Sequence, residues 1–211
     1  MTQADDINDK DLSSPAVAFL LDLIAAQADG EMSVQALISK RLESAGCEVQ
    51  AFDYEPGLVP VVGEFSAEEG QGAEIRRAIV GTLPGDTSLP SLLMFAHPDG
   101  EPVSGLERWS HSPFKGTVES GRIYGWGVAD DLAGCAAAVL ALEKLAMAKI
   151  PMGRAVFAST PSKRYARGVA ALDHTPNAES RAGPRPPFAC GVSCVFIKEA
   201  RVFYQLLIGL Y

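Results

Sequence analysis

The stretch SLLMFAHPDGEP, Ser91 to Pro102, decides how this chain is read. Leu92 to Ala96 is a short continuous apolar run, the pattern of a buried strand, and it stops at His97. Asp99 follows two positions on, and Gly100-Glu101-Pro102 makes a turn. A strand ending in His-x-Asp has two physical explanations. One is packing, with a satisfied histidine where the strand surfaces. The other is metal chemistry, because an imidazole ligand needs a neighbouring acceptor to fix its tautomer and raise its basicity.

Outward from this strand the pattern alternates. Upstream, Ser14-Pro15 reads as an N-cap with proline at the first helical position. That helix is predicted to run to about Ala28, with Val17, Leu20, Leu21 and Ile24 on one face. A second helix, about Ser33 to Ala45, shows Val34, Leu37, Ile38 and Leu42 on one face and ends at Gly46. CEVQAFD and IRRAIVGTL read as strands. Residues 55–73 read as a loop with room for one short strand. Downstream, GRIYGWG offers a short strand and a glycine-rich turn. DDLAGCAAAVLALEKLAMAK is the clearest helix, with Asp130-Asp131 at its start, where negative charge suits the helix dipole. RAVFAST is a further strand. Strands separated by a crossover helix predict an α/β domain with a mixed or mostly parallel sheet flanked by helices.

After about Leu172 the periodicity fails, and DHTPNAESRAGPRPPFACG carries four prolines. The charge changes there too. Residues 1–149 hold 10 basic against 23 acidic side chains, and residues 150–211 hold 8 against 3. The predicted organisation is therefore a domain over 1–172 and an irregular, proline-rich and apolar tail over 173–211. The 211 residues, 47% hydrophobic and 21% charged, suit one α/β domain. A net charge of −8 argues against a nucleic-acid partner. No apolar run approaches the ~20 residues of a membrane helix. The acidic, polar start MTQADDINDKD is not a signal peptide. Cys47, Cys135, Cys190 and Cys194 read as reduced thiols, so the expected compartment is the cytoplasm. Cys190-x-x-x-Cys194 lacks the second pair that a zinc site needs.

The candidate chemistry sits at one place. Strand carboxyl ends and helix N-termini meet at the same edge of an α/β sheet, which brings His97 and Asp99 toward Asp130. One histidine and two carboxylates suit Zn²⁺ or a similar borderline metal. On residue chemistry alone, a capping Asp130 and a satisfied His97 explain the pattern equally well.

The ordered series Ala96-His97-Pro98-Asp99, Trp109, Pro113-Phe114, Gly121, Tyr124-Gly125, Gly127 and Asp130 resembles the dinuclear-zinc amidohydrolases and peptidases. That family includes acetylornithine deacetylase, succinyl-diaminopimelate desuccinylase, aminoacylase and glutamate carboxypeptidase. The resemblance spans about residues 15–170. It implies a zinc-exopeptidase-like catalytic domain of which this chain carries the N-terminal part, truncated, without the lid and dimerisation domain. By the resemblance His97 binds one metal, Asp130 bridges two, Asp99 stands behind His97, and Glu179 in PNAES is a candidate further ligand. Zinc is the implied metal, with cobalt as a substitute. The implied substrate is a small N-acyl amino acid or peptide, hydrolysed at an amide bond by a metal-activated water.

Three departures qualify that expectation. Trp126 stands between two glycines where the family commonly has Arg. Leu132-Ala133 replaces Lys-Gly. After the strand in RAVFAST, where a Glu-Glu pair supplies the general base and a ligand, this chain reads Ser162-Lys163-Arg164. A cation there is repelled by Zn²⁺ by several kcal/mol at an effective dielectric of ~20. Arg cannot serve as a base at all. The distal histidine of the family also has no counterpart. The alternative to an amidohydrolase is therefore a catalytically weak or inactive remnant that binds a metal or a partner. A Ser162–Lys163 hydrolase is a weaker third reading, because the S-x-x-K spacing is not met. His111 and His174 read as surface residues.

Overall fold

The computed structural model describes residues 14–55, 75–100, 103–161 and 189–191. Helix α1 is Pro15–Ala26; the Ser14 hydroxyl accepts a hydrogen bond from the Val17 N–H at 3.3 Å, as the Ser-Pro start predicts. Its buried stripe is Phe19, Leu20, Leu23 and Ile24, with Val17 and Leu21 only half-buried. The apolar stripe is thus rotated toward Phe19 and Leu23, because tertiary contact rather than local spacing selects which of several apolar residues faces inward. A 3₁₀ turn, Gln27–Asp29, ends at Gly30, whose φ of 92° suits glycine.

Helix α2 is Glu31–Ser44 and buries Val34, Gln35, Ile38 and Leu42. The buried polar Gln35 has a specific reason. Its Nε2 donates to the carbonyls of Arg77 at 2.8 Å and Ser159 at 3.1 Å, on two different strands.

The main sheet contains β1 (Glu48–Tyr54), β2 (Arg76–Leu83), β3 (Leu92–Ala96), β6 (Ala155–Ser159) and β7 (Ala189–Gly191), in the order β1-β2-β6-β3-β7. The β1–β2 and β2–β6 pairs are antiparallel, and β6–β3 and β3–β7 are parallel, so the sheet is mixed. A separate hairpin joins β4 (Thr117–Glu119) to β5 (Arg122–Tyr124). Helix α3, Ala133–Ala148, crosses from β3 to its neighbour β6, with Met94 beside Phe157 in the register.

The hydrophobic core joins α1, α2 and α3 to one sheet face, through Ile79, Leu83, Met94, Ala96, Ala155 and Phe157. At Gly81 a Cβ would lie 2.8 Å from Leu42 Cδ1, so glycine permits the close approach of α2 to β2. Val80, Leu93, Phe95 and Val156 alternate onto the opposite face and are half-buried. Short strand β7 lies within the proline-rich stretch and adds itself to β3.

Candidate metal centre

The crossover β3–α3–β6 delivers its polar groups to one edge. His97 is buried and follows β3 directly. The next strand is tied to the same place, since the Thr160 N–H donates to the Ala96 carbonyl at 2.9 Å. Asp130 comes in from the other side. The sequence pattern predicts a helix from Asp130, but α3 begins at Ala133. Asp130 (φ −146°, ψ 82°) and Asp131 (φ −139°, ψ 34°) are not helical, and the peptide bond between them is cis. Left-handed Gly127 turns the chain, and its carbonyl accepts from the Leu132 N–H at 3.1 Å, which leaves the two aspartates looped out before the helix starts. They are thus placed separately. Asp131 is turned in and buried, while the Asp130 side chain is 63% exposed.

His97 Nδ1 lies 2.9 Å from the main-chain carbonyl oxygen of Asp99, and Nε2 lies 3.1 Å from Asp130 Oδ1. A carbonyl only accepts, so Nδ1 carries the proton, and in the neutral ring Nε2 presents a lone pair. Two acceptors then face each other at 3.1 Å, an arrangement that requires a proton or a cation between them. A metal fits this donor set. Two bonds of about 2.0 Å at a tetrahedral angle separate their ligand atoms by about 3.3 Å. His97 Nε2 and Asp130 are the residues that would hold it, and the Asp99 carbonyl fixes the ring's tautomer. The Asp99 carboxylate lies behind the same ring, with Oδ1 at 3.8 Å from Nδ1, so the short contact runs through the main chain. Among the described residues no three His, Cys, Asp or Glu side chains gather into a metal-holding cluster. Glu179, Ser162, Lys163, Arg164 and His174 lie outside the described residues.

Burial raises the Glu31 carboxyl above its ordinary value, Arg76 opposes this by charge and hydrogen bond, and Asp99 adds to the rise. Burial likewise pushes the Cys135 thiol well up, and the Asp131 and Asp99 charges push it the same way. Asp99 thus acts on both Glu31, whose own charge is paired with Arg76, and Cys135, which Asp131 also faces.

The hairpin side supplies features not legible in the sequence. Trp109 and Trp126 meet edge to face at 5.7 Å between ring centroids. His111, read from sequence as a surface residue, is half-buried. It stacks on Tyr124 at 4.2 Å, with Nε2 3.0 Å from Glu119 Oε2 and Nδ1 2.9 Å from Ser110 Oγ. The β4–β5 register causes this, placing Tyr124 and Glu119 on one short hairpin. Among the described residues, Cys47 and Cys135 are buried free thiols, and no helix is long and apolar enough to cross a membrane.

Residues 93–174 match the model of peptidase family M20/M25/M40. Succinyl-diaminopimelate desuccinylase of Xanthobacter autotrophicus is 36% identical over 105 residues, covering 50% of this chain and 23% of the relative. The fold is similar to that of human carnosine dipeptidase 1, with a TM-score of 0.55 at 17% identity over 68% of this chain and 31% of that one. It is also similar to the di-peptidase Dug1p of Saccharomyces cerevisiae, with a TM-score of 0.53 at 20% identity over 71% of this chain and 32% of that one. The chain thus spans between a fifth and a third of the length of these relatives. The matched segment carries His97, Asp99 and Asp130 on the crossover described above, and over that segment the chain is similar to peptidase family M20/M25/M40.

Proposed function

We propose that this chain carries one half of a metal site for hydrolysis of an amide bond in N-acyl amino acids or small peptides. The observation that carries the reading is the 3.1 Å approach of His97 Nε2 to Asp130 Oδ1, with Nδ1 committed to the Asp99 carbonyl. A bound metal supplies a water of lowered pKa and polarises the amide carbonyl. The chain's own residues do the rest. The Asp99 carbonyl holds the Nδ1 proton, so the imidazole lone pair stays aimed at the site. Asp130 adds negative charge, with buried Asp131 next to it in the chain. Zinc is the metal this donor set suits best, with cobalt as its substitute.

A second reading has support from one feature, the Lys163-Arg164 sequence where a carboxylate base is expected. On that reading the chain holds a metal and turns over slowly or not at all, since general acid–base assistance is worth ~10²–10⁴ in rate.

Metal analysis after dialysis, on the wild type and His97→Ala, tests the first reading. The wild type should retain zinc, and His97→Ala should lose most of it; equal content would refute the assignment. Turnover of N-acetyl, N-succinyl and dipeptide substrates in excess Zn²⁺ or Co²⁺ separates the two readings. Turnover of ~1–10³ s⁻¹ that His97→Ala abolishes would exclude the inactive form.

A further inference from the structure

The face of the main sheet turned away from the helices is apolar and continuous. Strand alternation puts Val80 of β2, Val156 and Ala158 of β6, and Leu93 and Phe95 of β3 on that face, because Ile79, Met94 and Phe157 belong to the core on the other side. The register lines them up across three strands. Val80 stands beside Ala158 and Ala158 beside Phe95, while Val156 stands beside Leu93. Val80, Val156, Leu93 and Phe95 are half-buried. Helices α1, α2 and α3 all join the core on the opposite face. An apolar face in the middle of a sheet, on its parallel strands above all, needs a covering layer.

The topology points to the part of the chain that supplies it. β6 and β7 both run parallel to β3, so the connection from Ser159 to Ala189 has to return the length of the strands before β7 starts. Connections between parallel strands of one sheet are right-handed in nearly all proteins. From β3 to β6 the chain steps one way across the sheet, with α3 on the core face. From β6 to β7 it steps back the other way, past β3. Two right-handed crossovers that step in opposite directions lie on opposite faces, so the second belongs over Val80, Leu93, Phe95 and Val156. Its first residues are already on that side. Pro161 is fully buried, and its carbonyl accepts from the Tyr54 hydroxyl at 2.9 Å. Tyr54 alternates with Val49, which packs against the core, and so belongs to the face away from the helices. Residues 162–188, which lie outside the described residues, are more than the ~10–12 that such a crossover needs. Within them Tyr165, Val169 and Leu172 recur at the spacing of one helical face. We propose that residues 162–188 dock on the sheet face formed by Val80, Leu93, Phe95 and Val156, with Tyr165, Val169 and Leu172 as the apolar contacts. Residues 192–211 follow β7 and lead to no described strand, so no topological rule brings them to this face.

The test uses the full chain with the photoreactive substitutions Phe95→benzoylphenylalanine and, separately, Val80→benzoylphenylalanine. After irradiation and digestion, peptide mass mapping should place the new covalent link within residues 162–188 in both proteins. A link within residues 192–211 would give the face to the tail, a covalent dimer would give it to a second copy of the chain, and no link would leave it open to solvent; each overturns the proposal. Leu172→Ser tests the same contact without a bulky side chain. It should lower the urea midpoint and raise the binding of an apolar fluorescent dye severalfold, because docking is weakened and the sheet face is uncovered. A Leu172→Ser chain that matches the wild type in both midpoint and dye binding would overturn the docking.

Discussion

Replacing Gln35 by leucine should loosen the floor of the proposed metal site without touching it. Gln35 is fully buried, and its Nε2 bridges the carbonyls of Arg77 on β2 and Ser159 on β6. Ser159 precedes Thr160, whose N–H is tied to the Ala96 carbonyl next to His97. Gln35→Leu leaves two carbonyls without this donor, at about 1–3 kcal/mol each if they stay dry. It also removes Gln35 Oε1, which has no hydrogen-bond partner among the described residues, and that returns about 1–3 kcal/mol. The difference is a net loss of about 2 kcal/mol. With a urea m-value of about 2 kcal/mol/M, the unfolding midpoint should fall by about 1 M at constant slope. Gln35→Glu supplies the sign control. A buried carboxyl has a folded pKa raised above its unfolded value, so this variant should be most stable below about pH 4.5 and lose stability as pH rises through the folded pKa. A Gln35→Leu midpoint within about 0.2 M of wild type, or a Gln35→Glu variant as stable as wild type at pH 7, would refute the bridging account.

Three further outcomes follow from named contacts. Arg77 donates to both Asp53 carboxylate oxygens at 2.6 and 2.8 Å, and these bonds hold the Asp53 carboxyl below its ordinary 3.8. The stability this gives is present above about pH 4 and lost as pH falls through the lowered value. Both groups are substantially exposed, so Arg77→Gln should flatten the acid limb of a urea-stability profile by no more than about 0.5 kcal/mol; a larger change would mean that the pair is less solvated than its exposure indicates. The Cys135 thiol, fully buried and pushed up by burial and by Asp131, should resist iodoacetamide in the native chain and react after denaturation, as read by peptide mass mapping; native labelling would contradict the packing. At Gly134 a Cβ would lie 2.1 Å from Asp131 Oδ1. Gly134→Ala should therefore lower the thermal midpoint even though alanine favours a helix by about 1 kcal/mol; a raised midpoint would show that the carboxylate moves aside freely.

The parts of this protein that were legible in its sequence are those fixed by local rules. The Ser14-Pro15 start, the apolar run into His97 and the alanine-rich crossover each follow from capping, hydrophobic continuity and propensity, and together they locate the sheet edge. The parts that were not legible depend on partners distant in sequence. Leu23 and Phe19 face inward because α3 and α2 lie there. Gln35 is buried because two strand ends offer it carbonyls. Asp131 is turned in because the chain loops at Gly127 instead of starting its helix at Asp130. The contact behind His97 is the Asp99 carbonyl, and no residue pattern distinguishes a main-chain acceptor from the side chain two atoms away. The Gly-Trp-Gly sequence was visible as a departure, but only the fold reveals that its indole lies over the turn after His97.

His97 and Asp130 are 33 residues apart in the chain, and the segment between them holds the β4–β5 hairpin and both tryptophans. An ion gripped by both residues is therefore a cross-link as well as a chemical centre. It would hold the two ends of this segment together in the folded chain and so restrict its local opening. Chelation would lengthen the leash on that segment while leaving the β1–β2 and β2–β6 pairings as they are. Amide exchange should then quicken chiefly in residues 103–129, a topological signature of the metal that is independent of any reaction it supports.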